Sequence, residues 1–139
     1  MQYAGGVDVV KGVGLDLCGI SRMEELIGDE RFLNRYFTRD EICYIRSKGK
    51  SAAQTSAGIF AAKEAFAKAV GTGITFDLKE AGVCHDEAGA PGYILTGKAA
   101  ELAAGDRFLL SVSHECGIAA AVCVREEGHP AERYGDETA

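Results

Sequence analysis

The sequence predicts an α+β fold, a small antiparallel sheet packed with one long helix and several short ones. Three observations point there. Apolar runs of strand composition recur at 7–17, 76–85, 93–95, 108–113 and 118–124. An alanine-rich stretch, 51–70, carries a helical stripe of Ile59, Ala62, Phe66, Ala69 and Val70. The helical segments fall early, inserted between the first strand and the others.

The first strand, Val7 to Leu17, is rich in Val, Leu and Gly and holds Asp16 near its end. A short helix starts after Ser21 and ends near Gly28, and a second piece runs from Arg31 to Phe37. Thr38 with Glu41 three residues later has the form of a capping box, so a helix is expected from there to about Arg46. Lys48-Gly-Lys-Ser reads as a loop before the long helix. Gly71 suits the left-handed residue that ends a helix, and Gly73 follows two positions on. Strand-like residues from Phe76 to His85, the turn Asp86 to Gly92 and a strand through Tyr93 to Leu95 come next. A short helix from Lys98 to Ala104 precedes two apolar runs around His-Glu-Cys-Gly, which read as a hairpin. Residues 1–126 are expected to form one domain, with 127–139 a polar tail read as disordered.

Composition narrows the function classes. The formal net charge of −6 disfavours general nucleic-acid binding. No apolar run reaches the roughly 18 residues of a membrane-spanning helix, and the first dozen residues lack the basic and apolar regions of a secretory signal. Five cysteines without a paired Cys-x-x-Cys spacing read as reduced thiols, mostly core, in a cytoplasmic protein. His114 and Cys116 lie close in sequence, but their spacing fits no usual zinc pattern. Residues 31–50 carry six basic side chains (Arg31, Arg35, Arg39, Arg46, Lys48, Lys50) against Asp40 and Glu41. That local +4 within an acidic chain suits either an anionic partner or a solvated helical face.

A few residues carry possible chemistry. Asp16 stands among apolar neighbours, where an unpaired carboxylate is costly. It therefore calls for a metal, a base or backbone amides, or else caps the next helix or binds Arg22. Gly12 and Gly14 allow a backbone or ligand to come close. Glu64 and Lys68 are four apart on one helix face. By itself such a pair is ordinary helix surface, as is Lys63 beside it. With Asp16, the pair could hold a hard divalent cation against a phosphate. Gly71-Thr72-Gly73 either stops the helix or offers amides to a phosphate. His114, after Ser111 and Ser113, reads first as a hydrogen-bonded turn residue.

Together, Gly12-Val-Gly14-Leu-Asp16, Arg22, Phe60-Ala-Ala-Lys63-Glu64-Ala-Phe66-Ala-Lys68, Gly71-Thr72-Gly73-Ile74, Ser111-Val-Ser113-His114 and Ala119-Ala-Ala resemble the holo-acyl-carrier-protein synthases. These are the short, single-domain 4′-phosphopantetheinyl transferases. The resemblance runs from about Val10 to Val124. It implies transfer of phosphopantetheine from coenzyme A to a serine of apo acyl carrier protein, with Mg²⁺ required and adenosine 3′,5′-bisphosphate released. By position it implies a catalytic set of Asp16, Glu64 and Lys68, with Asp16 and Glu64 holding Mg²⁺ and Lys68 facing the pyrophosphate. It further implies coenzyme contacts from Lys63, Gly71, Thr72, Gly73, Ser113 and His114, and carrier contacts from Arg22 and Met23. A homotrimer with active sites between subunits is implied too, and the basic 31–50 run suits an acidic carrier. The resemblance departs at Ile59, where many members carry Arg. Two alternatives stand beside it: a non-catalytic α+β binding or oligomerisation module whose Glu64–Lys68 pair is only surface, and another Mg²⁺-dependent phosphoryl-transfer enzyme using the same carboxylates.

Overall fold

The computed structural model describes residues 9–128. In chain order these form β1 (Val10–Gly19), α1 (Ile20–Leu26), α2 (Glu30–Tyr36), α3 (Arg39–Arg46), α4 (Ala52–Val70), β2 (Ala81–His85), β3 (Pro91–Leu95), α5 (Gly97–Ala103), β4 (Arg107–Glu115) and β5 (Ile118–Glu126). Strands β1, β5 and β4 make one antiparallel sheet in that order, while β2 and β3 pair as a separate hairpin. The α+β class and the early helices are as expected.

Local chemistry explains most boundaries. Helix α3 begins at a complete capping box, with Thr38 Oγ1 accepting from Glu41 N at 3.1 Å and Glu41 Oε1 from Thr38 N at 2.7 Å. Helix α4 stops at Gly71, whose φ of 89° no β-carbon opposes. The β4–β5 turn places Cys116 and Gly117 at φ 51° and 76°, the double left-handed form that suits a tight hairpin. Two expectations needed correction. The strand expected over 76–85 begins only at Ala81, because Asp77 and Glu80 form a second capping box and wind Leu78–Glu80 into a 3₁₀ turn. Helix α1 starts at Ile20, one residue before Ser21, where Ile20 N donates to Gly117 O at 2.9 Å. Within the expected tail, Glu127 N bonds Val9 O and Gly128 N bonds Asp106. Residues 129–139 and 1–8, including the expected start of the first strand, lie outside the described residues.

Helix α4 is central and not merely amphipathic. Thirteen of its residues are buried, and Lys68 is its one exposed position. A helix apolar nearly all round belongs inside a core. Phe66 packs against Phe76, Tyr93 and Phe108. Tyr93 Oη donates to Ala62 O at 2.5 Å, tying β3 to the helix. On the sheet side, β1 lies against α4 backbone to backbone. A β-carbon on Gly14 would fall 1.8 Å from Ala65 O, and one on Gly12 2.2 Å from Ala69 O. Only glycine permits that approach.

The other face of the sheet is uncovered among the described residues. Val13, Leu15 and Leu17 of β1 and Leu109 of β4 point away from α4 and stay largely exposed. The cysteines also differ from expectation: Cys18 and Cys123 are buried, but Cys43, Cys84 and Cys116 are exposed, because they sit on outer helix and hairpin positions. All five are free thiols.

Gly14→Ala is expected to destabilise the fold by about 3 kcal/mol, the upper end of overpacking costs. Gly19→Ala, whose added β-carbon meets nothing within 4 Å, should be neutral or slightly stabilising. Urea denaturation of both variants checks this; equal losses would mean that β1 does not depend on close approach.

Candidate functional site

Because β1 lies so close to α4, the residues on its inner face meet the helix directly. Asp16 Oδ1 accepts from Lys68 Nζ at 3.1 Å, and the same ammonium donates to Leu15 O at 2.8 Å. Lys68 thus turns across to β1 to find its acid, instead of serving as ordinary helix surface. Asp16 Oδ2 is buried and has no hydrogen-bond partner among the described residues. Such an orphaned oxygen asks for a proton or a cation.

Glu64, one turn before Lys68, shares this neighbourhood. Burial, then hydrogen bonding and charge repulsion from Asp16, push its carboxyl up to about 7, while Lys68 and Arg22 oppose the shift. Two ionised carboxylates cannot bond each other, but a proton on Glu64 lets it donate to Asp16. The nearby Cys18 thiol is pushed up by burial, with Arg22 opposing. The guanidinium of Arg22 stands 5.9 Å from the centre of the Phe60 ring. Beside Glu64 opens a cleft of about 460 Å³, walled by Arg35, Tyr36, Phe60, Ile74, Phe76 and Leu78. Arg35 and Phe60 were not legible as site residues; the only sequence signal for Arg35 was its place in the basic run.

Two other sets sit elsewhere. Gly71, Thr72 and Gly73 follow α4, with φ of 89° at Gly71 and 70° at Gly73, and Thr72 Oγ1 donates to Gly73 O at 3.2 Å. His114 pairs with Gln54 at 3.0 Å between Nε2 atoms, the amide donating. Gln54 precedes Glu64 by ten residues, about 15 Å along the helix. The fold of one chain therefore does not bring His114, or its neighbour Ser113, to the carboxylates. His114 instead lines a separate cavity of about 190 Å³ with Tyr44, Gln54, Ile59 and His85.

Two expected contacts are corrected. Lys63 is neither helix surface nor free to touch a coenzyme: it is fully buried, 2.8 Å from Glu41 Oε1, and donates to Leu78 O and Ala81 O at 2.9 and 3.1 Å. Its position, 100° around the helix from Glu64, turns it into the core. Met23 is likewise fully buried, because it is the residue of α1 that faces the core, so it cannot contact a carrier directly. Arg22 beside it is exposed. In the basic run, Glu41 is buried and Arg46 is paired with Glu30, leaving Arg31, Arg35, Arg39, Lys48 and Lys50 exposed.

Asp16 and Glu64 offer hard oxygen ligands, one of them orphaned. That suits Mg²⁺, which takes one or two protein carboxylates and fills its shell with water and substrate phosphate. No group of three or more metal-binding side chains occurs among the described residues. None of the described helices is long and apolar enough to cross a membrane.

The sequence model of the 4′-phosphopantetheinyl transferase superfamily matches residues 12–119. A holo-[acyl-carrier-protein] synthase of Treponema denticola is 39% identical over 122 residues, covering 85% of this chain and 99% of that one. The crystal structure of the Neisseria meningitidis holo-[acyl-carrier-protein] synthase superposes with a TM-score of 0.75 at 34% identity, covering 86% of this chain and all of that one. A Bacillus anthracis holo-(acyl-carrier-protein) synthase solved in complex with CoA (3′,5′-ADP) gives a TM-score of 0.73 at 32% identity, covering 86% and 98%.

Glu64 binds its proton more tightly folded than unfolded. Its contribution to stability is therefore full below pH 4.5 and is lost as the pH rises through about 7. Metal-free protein should lose stability across that window, and Asp16→Asn should shrink the loss. Denaturation midpoints measured across the window check both; an Asp16→Asn variant with the same loss as the wild type would uncouple the two carboxyls.

Proposed function

The chain belongs to the 4′-phosphopantetheinyl transferase superfamily, and from that premise we propose that it transfers 4′-phosphopantetheine from coenzyme A to a serine of apo acyl carrier protein. Adenosine 3′,5′-bisphosphate is the other product. The observation that carries this reading is the meeting of Asp16, Glu64 and Lys68 beside an open cleft, in a chain alike to holo-acyl-carrier-protein synthases over most of its length.

In this reading Asp16 and Glu64 would hold Mg²⁺, Glu64 as the carboxylate. The bound cation supplies charge neutralisation at the pyrophosphate. Lys68 has a second task. Its side chain is more than half exposed while the ammonium is held by Asp16 and Leu15 O, so its third N–H can turn toward the departing phosphate. The amides of Gly71 to Gly73 serve phosphate oxygens, and Arg22 with the exposed basic side chains of 31–50 steers an acidic carrier.

His114 and Ser113 enter through assembly. The chain forms a homotrimer whose sites lie between subunits, so that His114 of one copy reaches a coenzyme held at the carboxylates of the next. Two features support this: His114 lies far along α4 from Glu64 within one chain, and the sheet leaves Val13, Leu15, Leu17 and Leu109 uncovered. Five free thiols fit the reducing cytoplasm.

Incubation with coenzyme A, Mg²⁺ and apo carrier should add the mass of one phosphopantetheine to the carrier, read by intact mass spectrometry. Cleavage of coenzyme A without modification of any carrier would instead indicate a different phosphoryl-transfer enzyme. Glu64→Gln should lower turnover by about 100-fold or more, and Lys68→Ala should lower turnover more than coenzyme affinity. Full activity in Glu64→Gln would remove it from the metal site.

Leu15→Lys places a charge on the open face while leaving the inner face alone. It should convert the trimer to folded monomers with little activity, seen by light scattering and circular dichroism. A monomeric wild type would refute the shared-site arrangement.

A further inference from the structure

The floor of the cleft at Glu64 is α4, and two walls rise from it. One is the segment carrying Phe76 and Leu78; the other is the end of α2, with Arg35 and Tyr36. Neither wall is joined to the floor by Glu64 itself. Apolar contact ties both walls to α4, Tyr36 against Phe60 and Phe76 against Phe66, but the link through directed hydrogen bonds is the residue before Glu64. Lys63 Nζ reaches Leu78 O at 2.9 Å and Ala81 O at 3.1 Å, just where the first wall runs into β2. It also meets Glu41 Oε1 at 2.8 Å. Glu41 accepts in turn from Thr38 N at 2.7 Å, two residues beyond Tyr36, and from Val83 N at 2.8 Å in β2.

This charge pair is almost completely removed from water. Two apolar side chains could fill the same volume at no loss of stability, because desolvation offsets much of the attraction in a buried pair. They could not aim at four backbone groups on separate segments. Hydrogen bonds with fixed directions set separations in a way that apolar contact does not. We propose that Lys63 and Glu41 are positioning residues for the transfer reaction: together they fix both walls of the cleft relative to Glu64. The proposal rests on the phosphopantetheinyl-transfer reading. Neither residue touches substrate; each acts through the walls.

The test separates stability from positioning. Lys63→Met with Glu41→Gln in the same chain leaves no unpaired buried charge, and the glutamine can still cap α3. Its single acceptor oxygen cannot serve Val83 N as well, so this double variant should melt below the wild type but stay folded, and turn over about 10- to 100-fold more slowly, the scale of loss when reacting groups are misplaced by about an ångström. Amides of 76–83 should exchange faster with deuterium. Glu41→Asp, which keeps the charge pair but is too short to reach both Thr38 N and Val83 N, should show the same pattern more weakly. It decides the matter if the double variant does not fold. Turnover within about twofold of wild type in either folded variant would overturn the proposal, since a misplaced wall must cost rate. Unchanged exchange at 76–83 would also overturn it. Wild-type protein in the same assay tests the transfer reading itself. If it modifies no carrier, that reading fails, while the exchange data still decide whether the pair holds the wall.

Discussion

Everything at the site depends on how closely β1 approaches α4. Gly12 and Gly14 let the strand lie where any side chain would strike the carbonyls of Ala69 and Ala65. The small residues Ala65 and Ala69 complete the same contact from the helix side. Strand periodicity then does the rest. Positions 12, 14, 16 and 18 share the inner face, so two glycines at the contact carry Asp16 to the same helix face as Glu64 and Lys68. With an alanine at position 14 the strand would move outward, and the Asp16 oxygen 3.1 Å from Lys68 would move with it.

Helix α4 divides its charges by angle. Lys63 and Glu64 are neighbours in sequence, but 100° of helix rotation sends one into the core and leaves the other half exposed at the cleft. Their environments then act in opposite senses. Burial favours the neutral form of Lys63, and Glu41 counters it, holding the charge in place. Burial also favours the neutral form of Glu64, but there the nearest acid, Asp16, adds to the shift. The core position is electrically complete; the cleft position is not. That asymmetry separates a structural charge pair from a site that still needs a ligand.

The sequence made the architecture legible wherever short-range chemistry decided it. The Thr38–Glu41 box, the Gly71 stop, the Cys116–Gly117 hairpin turn and the alanine helix are all local signals. The miss at 76–80 was a conflict of two local signals, in which Asp77 and Glu80 outweighed strand-forming neighbours. The meeting of Asp16 with Lys68 could be inferred from spacing only as a possibility, because the strand and helix are far apart in the chain. The fates of Lys63 and Met23 were not legible at all. Lys63 is flanked by Ala62 and Glu64, and nothing local says which way it faces; its partner Glu41 had already been explained as a cap. A capping glutamate with a spare oxygen near a buried amide, that of Val83, is visible only in three dimensions.

The unsatisfied Asp16 oxygen and the raised Glu64 carboxyl have one physical reading in common. A stable core does not leave a buried carboxylate oxygen without a donor when a neighbouring lysine is within reach, yet Lys68 bonds only the other oxygen and spends a second hydrogen bond on Leu15 O. Burial first, and then Asp16, favour a protonated Glu64 against the pull of Lys68 and Arg22, so the ionised pair is disfavoured at this site. A proton relieves this by settling on Glu64, and a divalent cation would relieve it better by taking both carboxylates at once. The two compete for the same oxygens, so the affinity of the site for a cation should fall as the pH drops below the Glu64 value of about 7. A pair of carboxylates placed on a rigid strand–helix contact, near an exposed lysine and an open cleft, is arranged to receive charge from outside the chain and not to balance it within.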